Sequence, residues 1–223
     1  MPVSRADVDL VRGALSARVD GVHPERIARI EAHIAACLDA GDAAGAATVG
    51  IREYGPQILG YIASVVRDET AASEVFSSFC EDLWRGIAGF RRDASFRTWA
   101  YTLAWHAASR ALRDPYRRRA TPLATTDAGK LALEVRSTTA LHLRDASKDA
   151  LAAMRDALDP EEQTLLVLRI DRDLSWSEIA RVLADDAGVT ALSEAALRKR
   201  FERLKEKLRA DAVARGLLPS ASR

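Results

Sequence analysis

Apolar positions recur at three- and four-residue intervals along most of this chain, the spacing of helices that each bury one face. Ile27, Ile30, Ile34 and Leu38 follow Pro24, which suits a first helical turn, and Gly41 can end the segment, so a helix is expected over about 24–40. Val49, Tyr54, Ile58, Tyr61, Ile62 and Val65 form a second face, interrupted by Gly55-Pro56, and Val75, Phe76, Phe79, Leu83 and Trp84 form a third. From Phe96 the stripe continues as Trp99, Ala100, Leu103, Ala107 and Ala111, with Ser95 placed to cap it and Asp114-Pro115 to end it. Thr98, Tyr101, Thr102, Trp105 and Ser109 fall on the opposite face of that helix.

Periodicity then lapses. Residues 120–145 contain Pro122, Gly129 and scattered Ser and Thr, which predicts a linker with at most a short helix around 129–135. Leu151, Met154 and Leu158 begin a new stripe, and Asp159-Pro160-Glu161-Glu162 reads as a capped helix start with acids in its first turn. Ser175-Trp176-Ser177-Glu178 reads as a capping box ahead of Ile179, Ala180, Val182 and Leu183. Ser193 can cap a long last helix with Ala196, Leu197, Phe201, Leu204 and Leu208 on one face. The gap between Leu183 and Ser193 is longer than an ordinary turn; either the preceding helix runs on through Ala184–Ala187 or the last one begins at Thr190. The expected architecture is all-α: two small helical domains joined by a linker, with an N-terminal helical extension. The expected bounds are extension 1–45, first domain 46–119, linker 120–145, second domain 146–215 and tail 216–223.

Composition narrows the function. The chain has 12 Gly and 7 Pro among 223 residues, and is rich in Ala and Leu, which favours helices over sheet. No apolar run approaches the roughly 18 residues of a membrane span, and residues 1–22 lack a signal-peptide pattern, so a cytoplasmic protein with no membrane partner is expected. Cys37 and Cys80 read as buried thiols; His33 and Cys37 at i, i+4 lack a following C-x-x-C and read as a packed face. The four histidines are scattered and no nucleophile or phosphate-cradling motif occurs, so neither an enzyme nor a cofactor is expected.

Charge is segregated although the net value is only +1. Asp68, Glu69, Glu74, Glu81 and Asp82 make one stretch acidic. Residues 84–119 hold nine arginines against Asp93 and Asp114, a net +7, interleaved with Trp84, Phe90, Phe96, Trp99, Tyr101, Trp105 and Tyr116. Arginines suit phosphates and aromatic faces suit unpaired bases. The last helix, between 193 and 209, carries seven Lys or Arg against three Glu. A helix-turn-helix with a basic second member fits the major groove.

The F-x5-F-x2-W pattern of Phe90, Phe96 and Trp99, followed by a helix ending in an arginine cluster, resembles the promoter-opening region of extracytoplasmic-function (ECF) sigma factors. The Y-G-P-x3-G-Y string from Tyr54 to Tyr61 is similar to that family's first helix. L-S-W-S-E-I-A-R-V-L (174–183) with A-L-R-K-R-F-E-R-L-K-E-K-L-R (196–209) is similar to its −35-reading domain. The resemblance implies contacts to the −10 element by Arg91, Arg92, Asp93, Arg97, Tyr101, Trp105, Arg113, Arg117, Arg118 and Arg119. Ala94 joins Arg91–Asp93 in a loop that would take a flipped base. It implies that Ser193, Glu194, Ala195, Arg198 and Lys199 face −35 bases, with Arg200 and Arg203 on phosphates. Glu74, Phe79, Glu81, Asp82 and Trp84 would face the polymerase, with Ser77 and Ser78 standing where the family has Gln-Glu. Implied partners are core RNA polymerase through its β′ and β subunits, promoter DNA and an anti-sigma factor. Two readings of other classes compete: an autonomous helix-turn-helix regulator, which leaves the 84–119 aromatics without a role, and a helical adaptor for acidic proteins.

Overall fold

The computed structural model describes residues 24–114, 126–145, 150–184 and 192–218, and these are helical without a strand among them. In chain order the helices are α1 (Pro24–Asp39), α2 (Ala43–Val66), α3 (Glu69–Gly86), α4 (Phe96–Arg113), α5 (Asp127–Asp145), α6 (Ala150–Asp156), α7 (Pro160–Leu166), α8 (Trp176–Val182) and α9 (Glu194–Ala214). A π-helical segment, Val167–Asp171, continues α7, and a 3-10 turn, Ile87–Gly89, follows α3.

Side-chain caps start most of these helices. Asp42 accepts from the Gly45 amide at 2.7 Å, Asp68 from Ala71 at 2.6 Å and Ser95 from Thr98 at 3.1 Å, each satisfying a donor that the first turn leaves free. The boxes at Asp159–Glu162 and Ser175–Glu178 both form. Ser193 caps α9 through the Ala196 amide, so the last helix starts at Glu194, and α8 ends at Val182. Thr190 and the rest of that turn, 185–191, lie outside the described residues.

Three expectations are corrected. First, Gly55-Pro56 does not interrupt α2, which runs on to Val66 and ends at Arg67 in the left-handed region, φ 58°. Proline removes one backbone hydrogen bond, but Ile51, Tyr54, Ile58, Tyr61 and Ile62 around it are all essentially fully buried, and that packing carries the helix across. Second, residues 127–145 are not linker: α5 lies on α2 and α3, burying Leu131, Ala132 and Val135. A Cβ on Gly55 would sit 3.2 Å from both Val135 methyls, so the glycine sets how close α5 comes. Third, α2 begins at Ala43, inside the segment assigned to the extension, and α1 packs on α2 and α4 rather than standing apart.

The two halves also share one core. A single buried cluster runs from Ile30 to Ala212, with α7 against α2 and α8 against both α4 and α9. Helix α8 is therefore covered on two sides, and Ile179 and Val182 have no exposed surface.

Candidate nucleic-acid interface

The loop between α3 and α4 opens into a cleft of about 430 Å³ lined by residues 89–94, Thr98, Trp99, Thr102 and Arg181. Its apolar wall is a ring cluster. Phe90 stacks on Trp99 with centroids 5.0 Å apart, and Phe96 meets both edge-on at 5.9 and 5.5 Å. Two glycines let this cluster approach the neighbouring backbones. A Cβ on Gly50 would come within 2.3 Å of the Phe96 ring, and one on Gly86 within 3.2 Å of the Trp99 ring. Its polar wall is charged: Arg91, Arg92 and Asp93 are exposed at the rim, with Arg91 paired to Asp93 at 3.2 Å.

Helix α1 fixes this loop. Glu31 accepts from the Phe96 amide through one carboxylate oxygen (2.8 Å) and from the Arg97 amide (2.9 Å) and the Tyr54 hydroxyl (3.0 Å) through the other. Its charge thus sits on the positive end of α4. Burial, followed by the Glu31 charge, pushes the Tyr54 hydroxyl well above the usual tyrosine range, so it stays a neutral donor. Arg92 adopts φ 61°, uncommon for a residue with a side chain, and is tethered to Asp39 of α1 at 2.7 Å.

The remaining residues expected at the −10 element divide. Arg113 is exposed at the end of α4 and Trp105 is partly covered by the core. Arg117, Arg118 and Arg119 lie outside the described residues. Arg97 and Tyr101 are not available to DNA in this conformation: Arg97 is 7% exposed with its guanidinium on the Arg172 carbonyl at 2.6 Å, and Tyr101 is 0% exposed, edge-on to Tyr61. Thr98 is buried too. The alternation of α4 misleads here because the helix is packed on both sides, by α2 and α3 on one and by α8 on the other.

That second cover comes with polar contacts between the halves. Thr98 donates to Glu178 at 3.0 Å, the His106 ring bonds the Ala184 carbonyl at 2.9 Å, and Arg181 donates to the Asp93 carbonyl in the cleft loop. Tyr61 and Thr164 hydroxyls meet at 3.2 Å, and Arg67 donates to the Leu158 carbonyl. Burial raises the Glu178 carboxyl, but hydrogen bonds from the Ser175 side chain and backbone and from Thr98, with Arg97 nearby, outweigh it and leave the group below its ordinary range.

On α9, by contrast, the outer face is open. Glu194, Ala195, Arg198, Lys199, Arg200 and Arg203 are all exposed, while Leu197, Phe201, Leu204 and Leu208 face inward. Ser193 is used as the cap, Glu194 pairs with Arg198 at 2.7 Å, and Arg200 reaches Glu161 at 2.8 Å. Trp176 packs against Phe201 with Arg169 over its ring, which fixes α8 against α9.

Of the residues expected to face polymerase, Glu74 is exposed on α3, Glu81 and Asp82 are half-buried in ion pairs with Arg85 and Arg110, and Trp84 is partly buried. Phe79 is fully buried and packs on Phe76, so it belongs to the core and presents nothing to a partner. Ser77 lies within 3.4 Å of Arg136 from α5, which sits over that side of α3. Burial pushes the Cys80 thiol far up, leaving it unreactive. Among the described residues no group of His, Cys, Asp or Glu is placed to hold a metal, and no helix is long and apolar enough to cross a membrane.

Sequence reasoning did not single out Glu31, Glu178 or Arg181 as site residues. The capping box exposes Glu178 to sequence reading, but nothing local announces that Glu31, 65 residues before Phe96, closes the cap of α4.

Comparison with known proteins bears on the same region. Residues 51–119 match the family model described as sigma-70 region 2. The chain is 29% identical over 133 residues to the RNA polymerase sigma factor YlaC of Bacillus subtilis, covering 59% of this chain and 76% of that one. It is 28% identical over 144 residues to the RNA polymerase sigma-H factor of Pseudomonas aeruginosa, covering 62% and 75%. No solved structure matches it.

Proposed function

We propose a mechanism from the premise that this chain belongs to the RNA polymerase sigma factors of the ECF type, which act with core polymerase on promoter DNA to direct transcription initiation. In this reading the cleft at 89–94 receives an unpaired base of the −10 element, and the outer face of α9 reads the −35 duplex.

One observation carries the reading: a cleft walled by stacked rings with arginines at its rim, held in shape by an acidic clamp from α1. Extruding a base costs a few kcal/mol, and ring contacts with phosphate pairing are the interactions able to offset that cost. The chain performs no bond chemistry on DNA; binding free energy opens the strands and the polymerase catalyses synthesis. On α9, Arg198 and Lys199 suit base edges and Arg200 and Arg203 suit phosphates, a division between specificity and position. Glu74, Glu81, Asp82 and Trp84 form the polymerase-facing side, and an anti-sigma factor acts by occluding these surfaces.

The test is transcription in vitro with purified core polymerase on a genomic promoter library. The reading requires initiation at defined sites that depends on this chain. Initiation indistinguishable from core alone rejects it.

A further inference from the structure

Arg91 and Arg92 stand side by side at the rim of the cleft but are held differently. Arg91 pairs with Asp93 inside the loop, and the two side chains are 85% and 71% exposed, so this arginine can exchange its partner for a phosphate with little loss. Arg92 is tied to the scaffold instead. It donates to the Asp39 carboxylate at 2.7 Å and more loosely to the Ala35 carbonyl at 3.5 Å, at the end of α1 where the helix dipole favours a cation. Among the described residues the amides of 91–95 make no hydrogen bond to another backbone carbonyl, so side chains decide where this loop sits.

Helix α1 is suited to hold it. Glu31, Ala35 and Asp39 follow at four-residue intervals, which sets them along one ridge of the helix, about 12 Å from first to last. Glu31 holds the Phe96 and Arg97 amides where the loop ends, and Asp39 holds Arg92 in its middle. Ile30 and Ile34 of the same helix are buried and seat the ridge on the core. The left-handed backbone of Arg92, φ 61°, disfavours a residue with a Cβ and persists where its surroundings enforce it. Resting on the function proposed above, the geometry points to a division between the two rim arginines: Arg91 meets the unpaired strand, whereas Arg92 and Asp39 form a strut that sets the distance of the loop from α1 and with it the shape of the base cleft. Asp39 is thereby a positioning residue for base choice, acting through Arg92 from a helix that itself touches no DNA.

The two roles open to Arg92 predict opposite signs. Were Arg92 a phosphate contact, Asp39 would compete for it, and Asp39→Asn would strengthen strand opening. A strut needs the Asp39 charge, so the same change weakens opening. Reversing the pair, Asp39→Arg with Arg92→Asp, keeps the local charge and the length of the bridge, and Asp tolerates the left-handed backbone. The reversal restores a strut and leaves a phosphate contact broken. The experiment uses the full-length chain with core polymerase on a promoter that the wild type selects, and on versions with each base at the extruded position, with 2-aminopurine fluorescence reading strand opening. In Asp39→Asn opening falls about threefold, the effect of losing an exposed ion pair, and discrimination among the bases flattens, while the reversed pair recovers both. Opening by Asp39→Asn at or above the wild-type level overturns the strut, as does a reversed pair no better than Arg92→Ala. The free chain supplies a second readout: tryptic cleavage after Arg91 and Arg92 should run about threefold faster in Asp39→Asn, because cleavage follows the population of released loop. Equal cleavage rates also overturn the strut. If the reversed pair loses helicity, Asp39→Asn decides through these two measurements. A wild type that opens no promoter rejects the proposed function, and the cleavage rates then judge the strut by themselves.

Discussion

Replacing Glu31 by alanine removes three acceptor contacts at once. The Phe96 and Arg97 amides are among the first donors of α4 and have no partner within the helix, and Tyr54 would be left with a buried hydroxyl. Hydrogen bonds to a charged group contribute about 1.5–3 kcal/mol each where buried. The site is only partly buried and the three share one carboxylate, so the sum must be discounted to about 3–4 kcal/mol. For a chain of this length that lowers the melting temperature by about 6–16 °C. Glu31→Gln keeps an acceptor but turns an amide donor toward another donor, and should lose roughly half as much. Glu53→Ala is the control: its pairing with Arg26 is exposed on both sides, and the expected change is under about 1 kcal/mol. Urea unfolding followed by far-ultraviolet circular dichroism measures all three. A Glu31→Ala chain as stable as the Glu53→Ala chain would refute the clamp. The consequence for function is read separately, since a loosened 90–97 loop should reduce strand opening even at temperatures where the variant is fully folded.

Other outcomes follow from the same geometry. Trp99→Leu keeps an apolar side chain against Gly86 but removes the ring stacked on Phe90, so fluorescence of 2-aminopurine in the −10 region should show opening reduced about tenfold with duplex affinity unchanged; equal losses in both assays would contradict the stacking role. Arg198→Ala should change base preference at −35, whereas Arg203→Ala should weaken binding on every sequence and lower the salt slope by about one, as filter binding over a salt series can show. Because the Glu178 carboxyl titrates below its ordinary value, its contribution is complete above the unfolded pKa and is lost as pH falls through the folded one. Acidification should therefore weaken the α4–α8 contact in the wild type but not in Glu178→Gln, and identical pH profiles would dismiss the linkage. Gly50→Ala places a methyl against the Phe96 ring and should destabilise the chain by about 1–2 kcal/mol despite the better helix propensity, whereas a neutral or stabilised variant would show that the ring can move aside.

The sequence by itself determined most of the helices and the segregation of charge along the chain. Apolar periodicity and caps such as Asp159, Ser175 and Ser193 act within a few residues, so they locate helices without knowledge of the fold. The interleaving of arginine and aromatic residues in 84–119 is equally local and marked the region around the cleft, as the basic residues of 193–209 marked α9; the base-receiving loop itself was what the family resemblance implied. What required the tertiary structure was everything decided by a second neighbour. Composition made 120–145 a linker, yet α2 and α3 offer an apolar groove in which Leu131 and Val135 are buried. Pattern placed Tyr101 and Thr98 on an open face, yet Tyr101 packs on Tyr61 of α2 and α8 arrives from some 80 residues away to cover Thr98. Phe79 was a docking candidate by position but is core by packing. Helical periodicity reports that a helix has a face to bury; it carries no information about a second element closing on the other side, because that contact is set by distant parts of the chain.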